Sequence, residues 1–121
     1  MPKNLELSYL IDFYGDVLTE KQRDVMEQYY NDDLSLSEIA ENFGITRQGV
    51  RDSIKRGEAI LLDLEEKVGF AHRYRTMQAG LQKLDDLAKD IEFQSKGGFA
   101  STDTIASKAT EMRKTIEVLA E

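Results

Sequence analysis

After Pro2 the chain contains no proline, so nothing in residues 3–121 removes a backbone donor from a helix interior. Sustained two-residue alternation of β-branched residues is also absent, and apolar residues recur three and four apart instead. This pattern predicts an all-α chain. The first helix carries Tyr9, Leu10, Phe13, Tyr14 and Val17 on one face and loosens near Gly15. "TEKQ" then fits a capping box, with Thr19 as the cap and Gln22 reaching back from the third helical position. The helix that follows places Val25, Met26, Tyr29 and Tyr30 at core spacing and ends in "NDD", residues 31–33.

The next stretch, "SLSEIAENFGITRQGVRDSIKR", is the most specific in the chain. "SLSE" is a second capping box, Ser35 with Glu38, and opens a short helix bearing Leu36, Ile39, Ala40 and Phe43. Gly44 supplies a turn, and Thr46 caps a longer helix that runs to Val68 before Gly69 stops it. A helix-turn-helix needs a small residue where its helices cross, a turn residue tolerant of left-handed backbone, and apolar residues locking the second helix on the first. Ala40 is the small residue, Gly44 the turn, and Ile39, Phe43, Ile45, Val50 and Ile54 the lock. The exposed face of the second helix then holds Arg47, Gln48, Arg51, Asp52 and Lys55. Arginine reads guanine edges or phosphate, and glutamine reads adenine. The same polar face also suits solvent or a protein partner.

Beyond Gly69 the spacing becomes heptad-like. Phe70, Tyr74, Met77, Leu81, Leu84, Ala88 and Ile91 form one seam, and Ile105, Ala109, Met112, Ile116 and Leu119 form another. "SKGGFAS", Ser95 to Ser101, reads as the turn between them. The chain thus divides into a helix-turn-helix domain, 1–69, and a helical hairpin, 70–121. The two seams differ in length, so one hairpin cannot cover both, and a homodimer through 70–121 is expected.

Charge complicates a nucleic-acid reading. The chain carries 23 Asp and Glu against 16 Lys and Arg, a net charge of −7. All of that excess lies in residues 1–70, which hold 15 acids and 8 bases, whereas residues 71–121 hold 8 of each. Duplex DNA repels an acidic body. Within the acidic half, however, Arg47, Arg51, Lys55 and Arg56 face a single acid, Asp52, between residues 47 and 57.

Other chemistry finds little footing. The absence of cysteine removes disulfides, thiolate zinc sites and thiol nucleophiles. His72 stands alone between Ala71 and Arg73 and reads as an ordinary exposed imidazole. The Asp pairs at 32–33 and 85–86 lack the further oxygens and turn glycine of a calcium loop. Gly97-Gly98 has no following Lys-Ser/Thr and is no phosphate loop, and Phe70, Tyr74 and Met77 read as seam residues. No nucleophile, base and orienter assemble, so no enzyme, metal or cofactor is expected. The N-terminal stretch is broken by Glu6 and Asp12, so neither a signal peptide nor membrane insertion is expected, and the location expected is cytoplasmic.

Residues 18–64, "LTEKQRDVMEQYYNDDLSLSEIAENFGITRQGVRDSIKRGEAILLDL", resemble region 4 of the bacterial sigma-70 factors, a four-helix domain that reads the −35 promoter element. That resemblance implies base and phosphate contacts from Arg47, Gln48, Arg51 and Lys55, with Thr19, Lys21 and Arg23 near the DNA backbone. Two residues depart from the pattern: Asp52 among the contacts, and Gly57 where alanine is usual. Over its whole length the chain is more specifically similar to the YlxM family of Gram-positive bacteria. The genes of that family lie beside those of the signal recognition particle GTPase and its receptor. The similarity implies a regulatory or accessory role in that targeting pathway. Two functions follow: a regulator that binds DNA or RNA, or an adaptor whose acidic surface binds a basic partner such as a component of the signal recognition particle.

Overall fold

Both capping boxes form, and they set where two helices of the N-terminal half begin. Thr19 Oγ1 accepts from Gln22 N at 3.1 Å while Gln22 Oε1 accepts from Thr19 N at 3.2 Å, and Ser35 and Glu38 repeat the exchange. The computed structural model describes residues 3–97 and 101–121. Among the described residues there are six α-helices, one 3-10 turn and no strand: α1 (Glu6–Tyr14), the turn (Gly15–Val17), α2 (Glu20–Tyr30), α3 (Leu36–Phe43), α4 (Arg47–Val68), α5 (Phe70–Gly97) and α6 (Thr102–Leu119). The protein is all-α, as expected. It separates into two compact units, Met1–Ala71 and His72–Glu121.

In the first unit, α1, α2 and α3 each pack on α4. Val25, Met26, Ile39, Val50, Ile54 and Leu61 are fully buried between them. Each is a core residue by its helical spacing, and each apolar side chain removed from water contributes about 1.5–3 kcal/mol. The face of α1 differs from expectation. Leu7, Leu10, Ile11 and Tyr14 form its buried stripe, whereas Val17 is 57% exposed. The chain tightens into a 3-10 turn at Gly15, which takes Val17 out of helical phase and turns Leu18 inward in its place.

Buried polar atoms in this unit are paired. Tyr14 donates to Glu65 Oε1 at 2.8 Å and accepts from the Phe70 backbone N–H at 3.1 Å, while Glu65 also accepts from Ala71 N at 3.0 Å. Burial, reinforced by Glu65, pushes the Tyr14 phenol above its ordinary value, so it stays neutral and able to donate. These bonds satisfy the first backbone donors of α5, which would otherwise lack partners. Gly69, at φ 67°, makes the left-handed turn that separates α4 from α5.

In the second unit, α5 and α6 form a hairpin whose contact face keeps part of the heptad seam read from the sequence, Leu84 and Ile91 on α5 with Ile105, Met112 and Leu119 on α6. On α5 the less exposed residues are Gly80, Leu84, Leu87, Ile91 and Gln94, and Leu87 is the buried one among them. Phe70, Tyr74, Met77, Leu81 and Ala88 are exposed instead. At Gly80 a Cβ would lie 2.5 Å from Leu119 Cδ2, so the glycine lets the Leu119 side chain come close to the backbone of α5. On α6, Ile105, Met112 and Leu119 are half-buried and Thr115 is buried, while Ile116 is 51% exposed and Ala109 is exposed. The expected turn starts later than Ser95, because α5 continues through Gly97; residues 98–100 lie outside the described residues. Ser101 caps α6 through Thr104 N at 3.1 Å.

Candidate nucleic-acid interface

The α3–α4 pair is built by local rules. Gly44 ends α3 in left-handed backbone, φ 64°, and its N–H returns to the carbonyl of Ala40. Thr46 Oγ1 then accepts from Gly49 N at 3.0 Å and starts α4 in the new direction. Val50, Ile54, Gly57 and Leu61 recur at 4-3-4 spacing and form the buried stripe of α4. Gln48, Asp52, Lys55 and Ala59 recur at the same spacing on the opposite, exposed side. From Gln48 to Lys55 the helix advances about 10 Å at 1.5 Å per residue. That length suits the mouth of a DNA major groove, about 12 Å wide.

The side chains of this face are linked. Gln48 Nε2 donates to Asp52 Oδ1 at 2.9 Å, and Arg51 Nη1 donates to Gln48 Oε1 at 3.4 Å. Asp52 is therefore central to the face, and the Gln48 amide is already oriented between a carboxylate and a guanidinium. Arg47 is exposed at the first position of α4, and Arg51 is half-buried on the flank. Lys55 is exposed one turn beyond.

Thr19 and Lys21 also come to this surface. With Gln22 they line one wall of a hollow whose other wall is Ile45, Gly49, Asp52, Ser53 and Arg56. Lys21 and Arg56 place two cations around it, and Asp52 places one carboxylate. Arg56 was counted from the sequence among the cations of residues 47–57, but not among the contact residues. Its signal was available: it stands three and seven residues beyond Ser53 and Gly49, on one flank of α4.

Arg23 is not brought into the hollow. Its Nε donates to Glu27 at 3.2 Å, Nη1 binds Asp16, and the guanidinium lies against Gly15. Hydrogen bonds to Glu27 and then Asp16 push its pKa further up, so its charge is held and compensated within the protein. Among the described residues no group of three His, Cys, Asp or Glu side chains is placed to hold a metal ion. No helix of the described residues is long and apolar enough to cross a membrane.

A tri-helical support carrying a capped, outward-facing helix after a glycine turn defines a helix-turn-helix protein. The chain belongs to the family described as "Putative helix-turn-helix protein, YlxM / p13 like", whose model matches residues 1–97, through the end of α5. It is 46% identical over 92 residues to proteins named UPF0122 protein in Bacillus cereus strain Q1 and in Bacillus anthracis strain A0248. Each match covers 76% of this chain and 84% of the relative.

Proposed function

We propose that this protein is a regulatory nucleic-acid-binding protein that lays the exposed face of α4 into a groove. Gln48, Arg51 and Asp52 address base edges, Arg47 and Lys55 address the backbone, and Thr19, Lys21 and Arg56 hold a neighbouring phosphate. The observation that carries this reading is the convergence of α4 and the start of α2 on one surface with two cations around a hollow. Membership of a helix-turn-helix family supports it. Two copies, joined through residues 70–121, present two such faces, as half-site recognition requires. The likeness to the YlxM family supports a cytoplasmic accessory role in the signal recognition particle pathway.

A second reading rests on the charge of −7 confined to residues 1–70. An acidic surface of this kind suits a basic protein partner in the same pathway. Affinity capture from cell lysate, with and without nuclease, separates the two. The first reading predicts nucleic acid in the eluate and loss of co-eluting proteins after nuclease. A basic protein retained after nuclease, with no nucleic acid recovered, supports the adaptor and overturns the first.

A further inference from the structure

Among the polar side chains of the exposed α4 face, Asp52 alone can only accept hydrogen bonds. It is exposed, and its carboxylate takes one bond, from Gln48 Nε2 at 2.9 Å. Arg47, Arg51, Lys55 and Arg56 surround it in sequence, yet among the described residues none of them forms an ion pair with it. An ionised carboxylate has about four lone-pair sites, so most of its accepting capacity remains unused. Gln48 steadies it. While its Nε2 donates to Asp52, its Oε1 accepts from Arg51 Nη1 at 3.4 Å, so carboxylate, amide and guanidinium form one chain. Both links join residues three or four apart, the spacing at which side chains on a helix meet. A held acceptor and a donor fork thus stand one residue apart.

Base edges in a major groove answer a carboxylate differently. Cytosine offers its N4 hydrogens with no acceptor beside them, whereas adenine sets its N6 hydrogens next to the N7 acceptor. Guanine O6 and N7 and thymine O4 are acceptors, and a carboxylate facing them is left unpaired once water is expelled. We propose that Asp52 is a specificity-determining residue that selects cytosine, held for that purpose by Gln48 as a positioning residue. Arg51 beside it suits the O6 and N7 of a guanine, so the two neighbours together fit a G·C pair or two adjoining ones. The inference rests on the nucleic-acid reading of α4 and names what that helix selects. It also gives the acid among the cations a purpose. Its charge weakens contact with bare phosphate and with every sequence that offers no donor there, which is discrimination by penalty.

Selection from a randomised duplex pool with the full chain, followed by anisotropy on single-pair variants of the enriched duplex, tests this. At one position cytosine should bind about tenfold tighter than thymine. Asp52→Asn keeps the size of the side chain and its bond from Gln48, and should shrink that preference to within about twofold, leaving the other positions unchanged. Gln48→Ala should reduce the same preference in part, with the salt slope unaltered, a split that general loss of structure would not give. Circular dichroism should show the parent's helix content in both variants, and Asp52→Ala replaces Asp52→Asn if it does not. An enriched duplex whose preferences survive the loss of Asp52 overturns the assignment and leaves α4 as a reading helix. The same holds if the position that depends on Asp52 carries a base other than cytosine. A pool that enriches nothing removes the reading of α4, and the assignment with it.

Discussion

Ala40→Asp is expected to unfold the N-terminal half at temperatures where the parent chain is folded. Ala40 is 7% exposed on α3, and its carbonyl accepts from both Gly44 and Ile45 at the turn. A carboxylate there must either ionise in an apolar contact or push the helices apart. An uncompensated buried charge costs about 3–5 kcal/mol, a large share of a domain stability of roughly 5–15 kcal/mol. Arg51→Ala is the matched control. It removes one long hydrogen bond on the surface and should leave stability within about 0.5 kcal/mol. Urea melts followed by circular dichroism separate the two, and an Ala40→Asp protein as stable as the parent contradicts the helix-turn-helix packing.

The second large effect lies at Gly57. A Cβ on that residue would stand 2.1 Å from Met26 Sδ and 3.3 Å from Met26 Cγ and Cε, and Met26 is fully buried. Glycine thus lets α2 and α4 meet closely through the methionine. Gly57→Val adds bulk where the buried Met26 side chain already sits, forcing Met26 or a helix to shift, and should cost about 1–3 kcal/mol. Gly57→Ala costs less, because the strain is offset by about 1 kcal/mol of better helix propensity. Met26→Ala alone should cost about 2–5 kcal/mol by leaving a cavity. In the double variant Gly57→Ala/Met26→Ala the new methyl enters the vacated space, so the two losses should fall short of additivity by about 1 kcal/mol. Strictly additive losses would show that the two residues do not touch.

The N-terminal half was largely legible because its signals are local. Thr19 with Gln22, Ser35 with Glu38, Gly44, Thr46 and Gly69 each act on backbone groups within four residues, and each does in the structure what its type requires. Apolar spacing gave Val25, Met26, Tyr29, Tyr30, Val50 and Ile54 correctly as core. The errors fell where phase depends on tertiary contact. Val17 followed the helical spacing of α1, but the tightening at Gly15 broke that spacing. The hairpin seam followed the most regular apolar series, and the structure keeps only part of it: Leu84, Ile91, Ile105, Met112 and Leu119 are half-buried, whereas Tyr74, Met77, Leu81, Ala88 and Ile116 are exposed and Leu87 is buried in their place. Gly57 stood out from sequence as a departure from the sigma-factor pattern, and its cause, Met26, lies 31 residues away in sequence.

Of the candidate site, the α4 side chains were legible from one helix, whereas the hollow was not. It joins Lys21 from the start of α2 to Arg56 from the flank of α4, and no spacing rule links those two positions. Its central carboxylate, Asp52, read as a foreign residue among cations. In the structure it accepts from Gln48 and borders the hollow.

Fluorescence anisotropy with selected and scrambled duplexes, titrated at several salt concentrations, tests the central claim that α4 is a nucleic-acid-reading helix. The parent chain should prefer the selected duplex, with a salt slope of about −3 per protomer from three or four phosphate contacts. Arg51→Ala should lose about 1–3 kcal/mol on the selected duplex and relax base preference at one position. Lys55→Ala should weaken both duplexes alike and reduce the slope by about one. Asp52→Asn should strengthen binding to the scrambled duplex by removing a charge that repels phosphate. If neither duplex binds below about 100 μM at low salt, where phosphate contacts are strongest, and Asp52→Asn changes nothing, α4 does not lie in a groove and the claim fails.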